Sequence, residues 1–147
     1  MKELLYLKDD QLKDLIQKLF IGYRETFSDS KKVLDRYSIG IAHHKVIHLL
    51  SMYQGISISK LLKRLKITKQ SLNRVLRDLI REKIIKQVKD KEDTRKKKLF
   101  LDKEGKIFFE KIYESQKKRI FNALKNSDPD SVIKFKEVLN KIVDAKN

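Results

Sequence analysis

Between Thr68 and Arg81 the chain carries Lys69, Gln70, Ser71, Asn73, Arg74, Arg77 and Arg81. Wound as a helix, all of these but Ser71 lie opposite an apolar stripe of Leu72, Val75, Leu76, Leu79 and Ile80. The polar face contains no acid, and Asp78 and Glu82 lie toward its flank. A merely solvated face usually mixes signs, because i,i+4 ion pairs favour it. The side chains present have a more specific use. Gln70 or Asn73 can bond an adenine edge through both amide atoms, and Arg74 or Arg77 can fork onto a guanine or a phosphate. A second basic group, Arg95, Lys96, Lys97 and Lys98, follows Asp93. A third group is His43, His44 and His48, all the histidines of the chain within six residues. His44 and His48 share a helix face at a spacing compatible with two metal ligands, but further ligands would have to come from another helix or another subunit. Packed, hydrogen-bonded histidines are the favoured reading, and neither metal nor cofactor is expected.

The charge distribution supports a polyanionic partner. Of the 147 residues, 36 are Lys or Arg and 20 are Asp or Glu, a formal charge of +16. Residues 60–106 hold 18 basic and 7 acidic residues, so +11 of the excess falls in 47 positions. Five of the eight arginines, Arg64, Arg74, Arg77, Arg81 and Arg95, lie within 32 residues, which a general lysine-rich bias would not produce. The absence of cysteine excludes disulfides, thiolate catalysis, Cys-ligated zinc, iron–sulfur ligation and thiol redox sensing. There is also no glycine-rich phosphate loop and no acid near the histidines in sequence, so an enzyme is not expected. No apolar stretch is long enough to span a membrane, and Met1 to Leu7 is too short and charged for a signal peptide. A cytoplasmic location with no membrane partner is expected.

The elements that must carry these groups follow from apolar spacing. Leu12, Leu15, Ile16, Leu19, Phe20, Tyr23 and Phe27 predict a helix over roughly 9–28. Ile41, Val46, Ile47, Leu49 and Leu50 form a second apolar run that stops near Gly55. Ser57 caps a short helix with Leu61, Leu62 and Leu65, and Thr68 caps the basic helix. Ile84, Ile85 and Val88 predict one strand and Lys98 to Leu101 another, joined by a charged loop over 89–97. After Gly105 a long helix is expected, interrupted by the polar stretch Ser115 to Arg119. Asp128-Pro129 starts a last helix whose stripe, Val132, Phe135, Leu139 and Ile142, is as narrow as a coiled-coil seam. The fold class is mainly α with a small β-hairpin.

In this order and spacing, residues from about Ile39 to Gly105 resemble the MarR family of winged helix-turn-helix transcription regulators. Gly55-Ile56-Ser57 with Leu61, Leu62 and Leu65 is similar to the first motif helix, and Ile67 to Arg81 to the recognition helix. Asp93-Thr94-Arg95 followed by Leu101-Asp102-Lys103-Glu104-Gly105 resembles the wing motif, D-x-R and then L-T-x-x-G. The stretches Ala42 to His48 and Ile67 to Leu76 further resemble the subset that includes the PetP regulators. Two positions depart. Lys83 stands where the family usually has glycine, so the recognition helix would end on a non-glycine residue, and Asp102 replaces a threonine with another capping residue.

The resemblance implies a homodimer, with residues 1–38 and 106–147 as a helical dimerisation region intertwined with a DNA-binding region at 39–105. Phe108, Phe121 and Phe135 are expected to need burial that one chain of this size does not supply. The partner would be double-stranded DNA with an inverted-repeat operator, its half-sites roughly 10 bp apart. Lys69, Gln70, Ser71, Asn73, Arg74 and Arg77 would reach the major groove, and Arg95 the minor groove. Lys96, Lys97 and Lys98 would neutralise phosphates, while Asp93 would orient a neighbouring arginine. The family also implies a small-molecule effector, with Tyr23, Tyr37, His43, His44 and His48 as candidate residues of a pocket between the dimerisation and DNA-binding parts. The rival readings are a nonspecific architectural nucleic-acid-binding protein and a histidine-based metal-responsive regulator.

Overall fold

A computed structural model describes residues 4–37 and 39–145. A single 3-10 turn, Leu5–Leu7, leads into α1 (Asp9–Ser28), followed by α2 (Lys31–Arg36), α3 (Ile41–Met52), β1 (Ile56–Ser57), α4 (Ile58–Leu65) and α5 (Lys69–Arg81). The chain continues through β2 (Ile85–Lys89), β3 (Lys97–Leu101), α6 (Lys103–Lys125) and α7 (Pro129–Val143). The capping residues act where the sequence places them. The Ser57 hydroxyl accepts from the Lys60 amide, Thr68 from Ser71, Asp102 from Lys103 and Asp128 from Ser131, each satisfying an otherwise orphaned first-turn donor.

Three expectations need correction. Apolar spacing does not predict α2 and β1, because six and two residues are too few to show a period. α6 begins two residues before Gly105 and runs unbroken through Ser115 to Arg119. Those polar residues dock instead of breaking the helix: the Gln116 amide donates to the Thr26 carbonyl at 3.0 Å, and the Arg119 guanidinium forks onto Asp29. Finally, Phe108 is buried within the single chain, whereas Phe121 and Phe135 stay 54% exposed.

The core gathers Val46, Ile47 and Leu50 of α3, Leu61 of α4, the α5 stripe Leu72, Val75, Leu76 and Leu79, then Ile85, Leu99 and Leu101 of the strands and Phe108 and Ile112 of α6. The sheet is antiparallel in the order β1-β3-β2, with Ile56 opposite Leu99 and Val88 opposite Lys98. Gly55 permits the tight entry into β1, with φ of 85° and its amide donating to Leu99 at 2.8 Å. α1 and α7 bury none of their residues.

The end of α5 carries backbone strain. Lys83 adopts φ of 59°, its amide donating to Ile80 and that of Ile84 to Leu79, the paired bonds of a Schellman stop. Any side chain is costly there, by about 1–2 kcal/mol. Lys83→Gly is therefore expected to raise stability by about 0.5–1 kcal/mol after glycine's greater unfolded-chain entropy is subtracted. The urea midpoint should rise; a fall would show that the lysine side chain contributes more than its backbone costs.

Candidate nucleic-acid interface

With Leu72, Val75, Leu76 and Leu79 committed to the core, the opposite side of α5 has to face water, and Lys69, Gln70, Asn73, Arg74 and Arg77 are all exposed. The hairpin β2–β3 stands beside it. A groove of about 710 Å³ runs between them, lined by Lys69 and Asn73 on the helix and by Arg95, Lys96, Lys97 and Lys98 on the hairpin. A second groove of about 620 Å³ is lined by Gln70, Asn73, Arg74, Arg77 and Lys97. Nine of the ten residues expected to contact DNA thus converge on one continuous basic surface. Ser71 does not; its amide and hydroxyl both bond Thr68, so it closes the helix cap. Ile80, expected in the apolar stripe, is 39% exposed and lines the second groove.

The hairpin tip is organised by two carboxylates. Asp93 accepts from the Arg95 backbone amide at 3.1 Å and from Arg95 Nε at 3.2 Å, so the arginine it orients is Arg95 itself. Asp90 accepts from the Glu92 amide at 2.9 Å and faces Lys98 Nζ at 4.0 Å. Hydrogen bonding from Arg95 holds the Asp93 carboxyl below the usual carboxylate range, and the Glu92 amide does the same for Asp90. The Arg95 side chain itself remains 90% exposed.

His43 separates from the other two histidines, because positions 43 and 44 point about a quarter turn apart on a helix. His43 Nε2 bonds Asp78 of α5 at 2.9 Å. That bond, with Arg81 and Arg77 adding to it, lowers the Asp78 pKa. His44 turns the other way, is 1% exposed, and meets Phe27 edge-on at 4.9 Å. Burial, reinforced by the neighbouring His48 and partly opposed by a hydrogen bond with Gln116, lowers its pKa to about 4. Burial also lowers that of His48, whose ring lies near Phe109. Among the described residues no group of three potential metal-binding side chains is assembled.

A separate, mainly apolar cleft of about 320 Å³ is lined by Tyr23, Arg24, Phe27, Lys31, Leu34 and Ile41, among others. Of the candidate pocket residues only Tyr23 lines it. Tyr37 packs against Phe108 at 4.4 Å, His44 lies behind Phe27, His43 bonds α5 and His48 lies near Phe109.

This architecture, a helix-turn-helix beside a basic hairpin, can be set against known proteins. The chain is 35% identical over 141 residues to the HTH-type transcriptional regulator PetP of Rhodobacter capsulatus, spanning 96% of this chain and 85% of that one. The chain belongs to the MarR family. The MarR family model matches residues 37–96, the segment that contains α3 to α5, β2 and the loop that leads to β3. Among solved structures, NadR in complex with 4-hydroxyphenylacetate superposes with a TM-score of 0.76 at 19% identity, covering 99% of this chain and 100% of that one. A MarR-family transcriptional regulator from Silicibacter pomeroyi gives 0.74 at 15% identity, covering 97% and 94%. The protein is accordingly a DNA-binding transcriptional regulator with a winged helix-turn-helix, not an enzyme. No helix among the described residues is long and apolar enough to cross a membrane.

In MarR terms α5 is the recognition helix and the β2–β3 hairpin the wing. Sequence reading overlooked Ser57, Ser59, Lys60 and Gln87, which also line the two grooves. A signal exists only for Lys60, as part of the basic run; the others lie in β1, α4 or β2 and reach the groove through the fold. Arg64, one of the clustered arginines, sits over the Tyr53 ring at 4.0 Å, so it shows that charge clustering alone does not assign a DNA contact.

Proposed function

We propose that the protein acts as a homodimer that recognises an inverted-repeat operator, with the α5 face in the major groove and Arg95 in the minor groove. The observation that carries this reading is the single basic surface formed by α5 and the wing, with Arg95 presented outward by Asp93. A narrow minor groove has enhanced negative potential and attracts such an arginine. Lys96, Lys97 and Lys98 add phosphate neutralisation, each contact worth about 0.9 unit of log-log salt slope. Arg95→Ala is expected to weaken operator binding at least about tenfold with an unchanged unfolding midpoint. Unaltered affinity would remove the wing from the interface. Selecting bound duplexes from a random pool tests the whole reading: a symmetric consensus is expected, and equal recovery of unrelated sequences would favour a nonspecific architectural role.

The dimer reading places the interface on residues 1–38 and 106–147, leaving 39–105 to DNA. It is supported by large apolar side chains that the chain itself leaves uncovered, among them Phe20 at 67%, Phe121 at 54%, Phe135 at 54% and Val143 at 61% exposed. Exposed apolar surface of this extent ordinarily marks an interface. Light scattering should report twice the monomer mass, and a monomer at micromolar concentration would reject the arrangement.

Modulation by a small effector is the finer part of the proposal. The cleft beside Tyr23 and Phe27 offers apolar walls, with Lys31 at its edge paired to Asp35 and Arg24 paired to Glu25, a chemistry suited to a mainly apolar aromatic ligand; NadR is solved in complex with 4-hydroxyphenylacetate. The metal-responsive alternative has less to support it, because among the described residues no third potential ligand joins His44 and His48.

A further inference from the structure

The interface and the cleft leave one contact unused. Asp78 is the only acid within α5, and it stands among arginines at positions 74, 77 and 81 on a helix that must approach phosphates. Its two oxygens are both engaged: Oδ2 by His43 Nε2 at 2.9 Å and Oδ1 by Arg81 Nη2 at 3.2 Å. The His43 bond is the one side-chain hydrogen bond that joins α5 to another helix among the described residues. The ring has no competing use, since its Nδ1 is buried without a partner. In its neutral form His43 therefore carries its proton on Nε2 and donates to the carboxylate.

We propose that His43 is a positioning residue for the recognition helix, holding the Asp78 carboxylate against α3 so that Arg74 and Arg77 remain available to DNA. This rests on the reading of α5 as the DNA-facing helix. Released from His43, a carboxylate at position 78 lies one turn from Arg74, beside Arg77, and within reach of the DNA backbone. It would compete with phosphate for both guanidinium groups and add repulsion of its own. His43 acts through Asp78 and does not itself touch DNA.

The test is a double-mutant cycle on the full-length protein, using a duplex recovered by selection and a scrambled duplex as probes. His43→Leu is expected to weaken binding of the selected duplex about tenfold, and the same substitution made in an Asp78→Ala background is expected to change it by less than about twofold. His43→Gln, which keeps an N–H donor, should recover most of the affinity. Urea unfolding of each variant is measured alongside. An equal loss in both backgrounds, or no loss in either, overturns the proposal, since a packing role for His43 would be independent of Asp78. Should His43→Leu fail to fold, the cycle of the smaller His43→Ala with Asp78→Ala carries the same comparison, with non-additivity expected and additivity overturning it. Wild-type protein that binds neither duplex would instead refute the DNA-facing reading of α5, and the positioning role with it.

Discussion

Gly105→Ala is expected to abolish stable folding. A Cβ at this position would lie 1.8 Å from the Ile84 carbonyl oxygen and 2.8 Å from its carbon. Neither atom can swing away, because both belong to the backbone. Ile84 is also pinned on both sides: its amide donates to Leu79 at the end of α5, and its carbonyl accepts from the Asp102 amide. The first turn of α6 thus rests directly on the joint between recognition helix and wing. One methyl must therefore lever α6, β2 and the α5 terminus apart. The cost should be at least about 3 kcal/mol, the upper end of overpacking penalties and a large share of the roughly 5–15 kcal/mol that holds a domain together. Circular dichroism during urea titration should show loss of the cooperative transition or a large drop in its midpoint. A wild-type midpoint would mean that the close approach of α6 to Ile84 is wrong.

The second large effect is acid destabilisation through His44. The ring is buried, its Nδ1 has no partner, and its pKa falls from 6.5 to about 4. A histidine that resists protonation when folded but accepts a proton freely when unfolded favours the unfolded state in acid. Its full contribution is present above pH 6.5, the unfolded value, and is lost as the pH falls toward 4. The loss amounts to about 3 kcal/mol, since each tenfold weakening of proton affinity in the folded chain is worth about 1.4 kcal/mol. Urea unfolding between pH 7.5 and 4 should show this slope, and His44→Gln should flatten it. An identical pH profile in the variant would locate the acid sensitivity elsewhere. His48, its pKa also lowered by burial, acts in the same direction, as do Asp29, Asp78, Asp90 and Asp93, which are held below the usual carboxylate range and so act at lower pH.

Much of this molecule is legible in the sequence. The helical stripes of α1, α5 and α7 and the caps at Ser57, Thr68 and Asp128 are short-range features, set by period and by one side chain reaching a nearby amide. The wing is legible for a similar reason, since its acids and bases act within a few residues of one another, as Asp93 does on Arg95. Even the non-glycine stop at Lys83 can be anticipated, because a helix end must satisfy its carbonyls whichever residue occupies the turn.

Misjudgements arise where a long-range partner matters. Ser115 to Arg119 looks like a break in α6 because the residues that receive them, Thr26 and Asp29, are about 90 positions away. The histidines are grouped in sequence, but which neighbours they meet, Asp78, Phe27 and Phe109, is likewise set at long range. Adjacent helical positions diverge by about 100°, and which neighbour each direction meets depends on how the helices pack.

Local pattern and charge therefore established a basic helix, a basic hairpin and amphipathic arms at both ends, because periodicity, capping and charge act over a few residues. Packing alone placed Gly105 under Ile84, bonded Asp78 to His43, sealed His44 from water and merged Lys69 to Arg77 and Arg95 to Lys98 into one basic surface. Each of those outcomes is an approach between segments distant in the chain, and it exists only once burial of the common core has brought them together.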